Sequence, residues 1–157
     1  MLRFYDVDKD YIDYLKTIDR QIPNVSYDSN NKFVCGVVFD VENIQYYAPI
    51  SHMKRRQRTN LPIYNNKGRI ISTIRFSFMF PAFESVLIQK DFRKIAKVNE
   101  QYANLLRTEY RFCTSHQEQI KQRAKQVYTI GCNKDHVLNY TCYDFKKLEK
   151  YYLDFNK

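Results

Sequence analysis

Apart from one early helical stripe, apolar positions up to about Asp91 run continuously or alternate, as in strands; beyond it they recur every three or four residues, as in helices. Residues 3–7 read as a first strand, and Asp8 caps a helix carrying Tyr11, Ile12, Leu15 and Ile18 on one face, closed by the effect of Pro23 on Ile22. A polar loop over residues 24–31 leads to a continuously apolar strand at 33–39, where Gly36 signals a bulge or a close backbone approach. A turn over residues 40–43 and a second strand at 44–50 complete a hairpin whose exit is Ser51-His52. Residues 55–66 read as a polar, basic connection with Pro62, ending in an Asn65-Asn66-Lys67-Gly68 turn. Ile74, Phe76, Phe78 and Phe80 then alternate as in a strand; Pro81 interrupts, and residues 83–88 resume the alternation.

The helical half starts with Val98, Tyr102, Leu105, Leu106 and Phe112 as one stripe. Ser115 and Glu118 have capping-box form ahead of a stripe of Ile120, Ala124, Val127 and Tyr128. Thr141 and Asp144 resemble another cap, opening a last helix with Phe145, Leu148, Tyr152 and Phe155 inward. Antiparallel hairpins followed by a helical C-terminal half predict an α+β fold, not a doubly wound sheet.

A length of 157 residues fits one domain, spanning 1–157, and only 3 glycines and 4 prolines leave no room for a low-complexity linker. Hydrophobic content of 44% argues against disorder. The N-terminus has no apolar leader and no run reaches the length of a membrane span, so a soluble, cytoplasmic protein is expected. Cys35, Cys113, Cys132 and Cys142 form no C-x-x-C pair, and the Cys132–His136 spacing lacks a second half-site. Reduced, mostly buried thiols and no structural zinc are expected, and no cofactor is implied. A net charge of +9 calls for a polyanionic partner, nucleic acid before a membrane surface. The 14 tyrosines suit stacking on the unpaired bases of single-stranded RNA, against the plainer reading that they fill the core. The absence of a glycine-rich phosphate loop argues against nucleoside-triphosphate chemistry.

The chemistry concentrates where the hairpin ends. Tyr46-Tyr47-Ala48-Pro49-Ile50 runs into Ser51 and His52, and Lys54, Arg55, Arg56 and Arg58 follow. Metal-free RNA cleavage needs a base for the 2′-hydroxyl, donors for the crowded phosphate and a proton for the leaving 5′-oxygen. Imidazole is the side-chain type suited to proton transfer near neutral pH, which makes His52 the candidate for it. Lys32 and Lys54 are phosphate clamps, or bases only if burial or neighbouring charge lowers their pKa. Ser51 can donate to a phosphate oxygen; nothing supports a triad that would make it a nucleophile. Tyr27 stacks on a base or packs locally, while His116 and His136 read as structural. The ordinary alternative is a solvated basic loop on a non-catalytic RNA- or DNA-binding module.

In order along the chain, Phe4-Tyr5, residues 11–16, Ile22-Pro23-Asn24, residues 32–38, residues 47–51 and Cys142-Tyr143-Asp144-Phe145 resemble the ToxN/AbiQ family of type III toxin–antitoxin endoribonucleases, with the CptN subgroup nearest. The resemblance covers nearly the whole chain. It implies a compact, strongly twisted antiparallel sheet with helices, similar to the Kid/MazF toxin fold. It implies metal-independent cleavage leaving a 2′,3′-cyclic phosphate and a 5′-hydroxyl. It also implies a repeated pseudoknot RNA antitoxin, cut from its precursor and held in closed protein–RNA assemblies, besides cellular or phage RNA as substrate. By the family pattern the catalytic set is Tyr27, Lys32, Ser51, His52 and Lys54, where His52 stands in place of a second hydroxyl residue. Arg55, Arg56, Arg58, Lys67, Arg69, Arg107, Arg111, Lys121 and Arg123 are the RNA-contact candidates.

Overall fold

The computed structural model of the chain describes residues 2–23, 32–52 and 56–155. The strands are β1 (Arg3–Val7), β2 (Phe33–Val41), β3 (Ile44–Ser51), β4 (Asn60–Tyr64), β5 (Ile70–Arg75), β6 (Phe80–Pro81) and β7 (Leu87–Gln89). They form one antiparallel sheet in the order β4-β5-β3-β2-β1-β7, with β6 also paired to β3. One helix, α1 (Lys9–Ile18), interrupts the strands; α2 (Phe92–Val98), α3 (Glu100–Ser115), α4 (Gln117–Cys132) and α5 (Phe145–Tyr151) follow them. The α+β order therefore holds, and most of the helix lies in the C-terminal half.

Gly36 answers both readings of its position. The β2–β3 register shifts between Gly36 and Phe39, a bulge, and the Tyr47 ring lies so close that an added Cβ would come within 2.0 Å of it. The hairpin turns tightly through Glu42 and Asn43, both at positive φ, a conformation that asparagine tolerates better than most residues. Past the turn, Tyr46 is buried against Phe39, Tyr128 and Phe145. Its hydroxyl donates to Glu149 Oε2 at 2.6 Å, as does Tyr128 at 2.6 Å, so a single carboxylate on α5 ties β3 to α4.

Several boundaries differ from expectation. Helix α1 ends at Ile18, short of Pro23, because the Asp19 carboxylate caps the chain that follows, accepting from Gln21 N at 3.0 Å and Asp144 N at 2.8 Å. Residues 60–64 form β4, with Pro62 opposite Thr73 on the sheet's edge strand, where a missing N–H is tolerated. The alternation of residues 74–80 does not hold one strand: β5 ends at Arg75, Phe76–Phe78 tighten into a 3-10 turn, and β6 pairs with β3 instead. The stretch at 83–88 is likewise split between a 3-10 turn at Glu84–Val86 and β7.

In the helical half, Asn99 breaks the first stripe. It leaves Val98 90% exposed and caps α3, whose buried face is Ala103, Leu106, Glu109 and Cys113. Ser115 is the last residue of α3, donating to the Arg111 carbonyl, and α4 starts without a side-chain cap at His116. The Ile120, Ala124, Val127 and Tyr128 stripe is buried as expected. Asp144 caps α5, whereas Thr141 belongs to the preceding 3-10 turn. The four cysteines are unpaired, and Cys35, Cys113 and Cys142 are buried.

Candidate active site

Strand register builds the site. Ser51 closes β3 and faces Thr73 of β5, while Phe33 at the start of β2 faces Ile50. Cross-strand partners share a face, so Ser51 and Thr73 lie side by side, and Lys32, one residue ahead of β2, adjoins the same strand ends. Arg75, two positions along β5, shares that face. Its guanidinium lies over the Phe78 ring, 4.1 Å from the centroid, and Phe78 stacks in turn on Tyr143 at 5.1 Å.

The electrostatics follow from this geometry. Lys32 is half-buried, and burial lowers its pKa from the usual lysine value, with the Arg75 charge adding to the shift. A lysine shifted this way gives up its proton more readily than one in water. His52 stands exposed one step beyond the strand. Tyr27, Lys54 and Arg55 lie outside the described residues. Arg75 was not among the expected residues; its only signal was a cation in the polar slot of an otherwise apolar alternation.

The candidate RNA contacts do not form one patch. Arg56, Arg58 and Arg123 line a cleft of about 540 Å³ between β4 and α4. Within it the Arg56 guanidinium donates to the Tyr64 hydroxyl at 2.7 Å, and Arg123 donates to the Asn60 carbonyl. Arg123 thus has a structural partner as well as a place on the surface. Lys121 and Lys125 line a different cleft, of about 630 Å³, against the bulged end of β2. Lys67 and Arg69 are exposed on the β4–β5 turn, Arg111 is exposed on α3, and half-buried Arg107 reaches Asn104 Oδ1 at 3.2 Å. A third cleft, of about 720 Å³, has Arg58 and Arg75 on its wall.

Most of the described tyrosines lie in the core or against it. Tyr11, Tyr46, Tyr47, Tyr128, Tyr143 and Tyr152 are buried, Tyr5, Tyr14, Tyr102 and Tyr110 pack against them, and among the described residues Tyr140 is the tyrosine open to solvent, 76% exposed. His116 stacks on Phe112 with its Nδ1 2.8 Å from the Phe112 carbonyl, and His136 Nδ1 accepts from Leu138 N at 3.0 Å, both structural as expected. Among the described residues, no three His, Cys, Asp or Glu side chains converge as a metal site. Nor is any helix among them long and apolar enough to cross a membrane.

A family model described as "Toxin ToxN, type III toxin-antitoxin system" matches residues 3–153. The chain belongs to the ToxN toxin family. Endoribonuclease ToxN of Bacillus thuringiensis subsp. kurstaki is 22% identical over 157 residues, covering 94% of this chain and 81% of the relative. Endoribonuclease ToxN of Pectobacterium atrosepticum is 23% identical over 168 residues, covering 99% of this chain and 95% of the relative. The fold of this ToxN-family chain matches that of a type III toxin inhibited by a non-coding RNA pseudoknot, with a TM-score of 0.88 at 20% identity over 98% of this chain and 96% of the other. It also matches AbiQ, a lactococcal anti-phage endoribonuclease, with a TM-score of 0.84 at 23% identity over 98% and 96%. The elements that carry Lys32 and Ser51 therefore sit in a shared ToxN architecture.

Proposed function

We propose that this ToxN-family chain is the endoribonuclease toxin of a type III toxin–antitoxin system, acting as a single domain in the cytoplasm. Membership of the family and the endoribonuclease identity of its relatives support the activity. The observation that carries the site is the pairing of Ser51 with Thr73, with Lys32 at the adjoining start of β2 and the Arg75 charge acting on it, at the strand end that His52 follows.

In the proposed reaction a ribose 2′-oxygen forms a bond to the adjacent phosphorus and the bond from phosphorus to the 5′-oxygen breaks. His52 takes part in moving the proton off the 2′-hydroxyl. Lys32 and Arg75 hold the charge that builds on the phosphate, and Ser51 donates to one of its oxygens. The 5′-oxygen leaves as a hydroxyl after gaining a proton, for which the depressed pKa of Lys32 suits it as donor. Tyr27 and Lys54 complete the set by the family pattern. The products are a 2′,3′-cyclic phosphate and a 5′-hydroxyl, with no metal required. A repeated pseudoknot RNA serves as antitoxin, is cut from its precursor by the toxin and then occupies the basic clefts in a closed protein–RNA assembly.

The test is cleavage of a short single-stranded RNA by purified protein in EDTA, with end-group analysis and a matched strand carrying a 2′-deoxy sugar at the cut. Cyclic phosphate from the all-RNA strand alone is expected, and His52→Ala should slow the chemical step by about 100-fold or more. Cutting that needs added metal would overturn the mechanism. Full activity in His52→Ala would remove that residue's role.

A further inference from the structure

The cleft of about 720 Å³ beside the candidate active site has a lining that cleavage chemistry does not call for. Tyr140, the solvent-open tyrosine among the described residues, stands on one side. Gln21 and Gln57 line the same space. The Gln57 amide is oriented: its Oε1 accepts from Asn60 Nδ2 at 2.9 Å, which leaves the NH2 end as the donor to anything bound. Arg58 and Arg75 supply positive charge, and the Arg75 guanidinium sits over the Phe78 ring.

We infer that this cleft binds one unpaired nucleobase of the substrate RNA, next to the nucleotide that is cut. Three features together fit that occupant. An exposed aromatic face stacks on any base once it is unpaired. Amide groups match the mixed donors and acceptors along a base edge. Guanidinium groups at the mouth hold the phosphates on either side of the base. Arg75 joins the two places, since it lines the cleft and its charge reaches Lys32. A base seated on Tyr140 thus fixes the register of the strand over Lys32 and Ser51. This assignment rests on the endoribonuclease reading, and Tyr140 acts as a positioning and specificity residue.

The test measures binding first, so that it does not depend on cleavage. Wild type, Tyr140→Phe and Tyr140→Ala are titrated with a single-stranded RNA made uncleavable by a 2′-deoxy sugar at the cut. A series of the same strand carries one abasic nucleotide at each flanking position in turn. Tyr140→Ala should weaken binding of the intact strand about tenfold, while Tyr140→Phe, which keeps the ring, should bind as wild type does. At one position the abasic strand should bind wild type about tenfold less well and show no further loss with Tyr140→Ala. Equal binding of the intact strand by wild type and Tyr140→Ala would overturn the inference, as would a loss that is the same on every abasic strand. Because Tyr140 is exposed, its thermal unfolding should be unchanged, which excludes misfolding as the cause. Failure of the wild type to cut the all-RNA strand would instead count against the parent reading, and is read separately.

Discussion

Glu109 is the residue whose behaviour the sequence hid most completely. It sits in the polar-looking run Arg107-Thr108-Glu109, yet its side chain is fully buried on α3 and Oε2 accepts the Ser72 hydroxyl at 2.6 Å. Burial pushes its pKa up from 4.5 to about 7, against the Ser72 hydrogen bond and the Lys90 charge, which both lower it. The sign of the consequence follows from proton counting. Between these two pH values the unfolded chain loses this proton while the folded chain keeps it, so stability falls as pH rises through that window. Urea unfolding should show a loss on the order of 2–3 kcal/mol between pH 5 and pH 8 from this group, and Glu109→Gln should flatten the dependence. An unchanged slope in Glu109→Gln would place the titration elsewhere. Ser51 and Lys32, by contrast, stand out in the sequence as candidates, because a cation before a buried strand and a hydroxyl after a proline are visible without knowing what lies opposite. Their mutual placement is not.

At the scale of elements, periodicity located most of the strands and helices but not the points where they stop. Asp19 illustrates why. Nothing near it in sequence announces that its carboxylate will bind the backbone N–H of Asp144 while also closing the turn after α1. Asp144 in turn caps α5 through Lys147 N at 3.2 Å, so the two aspartates form a relay between the first and last helices. Asp144→Ala should cost about 1 kcal/mol, the usual loss for an N-cap. Asp19→Ala should cost more, about 2–3 kcal/mol, because it leaves two N–H groups unsatisfied in a partly buried place. Denaturant unfolding of the two variants checks the order; Asp144→Ala as the more damaging change would contradict the relay. β4 was missed for a related reason. Its Pro62 argues against a strand unless the strand lies at the sheet edge, and edge position is a property of the assembled sheet.

For the whole molecule, five of the cations behind the net charge of +9 line two separate clefts. Arg56, Arg58 and Arg123 lie on one side of α4, and Lys121 and Lys125 line a cleft against β2. A short single strand held at the active site should therefore sense the first group and not the second. The slope of log affinity against log salt should fall by about 0.7 in Arg58→Ala, the loss of one phosphate contact on single-stranded nucleic acid. Lys121→Ala should leave that slope unchanged for the short strand. Equal effects from both would mean that the clefts act as one surface.

The linear chain by itself determined the α+β class, the hairpin that ends at Ser51, the main helical stripes and a polyanionic partner, since these depend on local periodicity and on summed charge. Tertiary structure alone decided which groups meet. Strand register aligned Ser51 with Thr73 and brought the start of β2, just after Lys32, against the end of β3; the turn at Phe76–Phe78 brought Arg75 onto an aromatic stack, and helix packing buried Glu109 while leaving Tyr140 outside. Each of these is a contact between residues distant in sequence. Its energy depends on what lies across the gap, which no local pattern records.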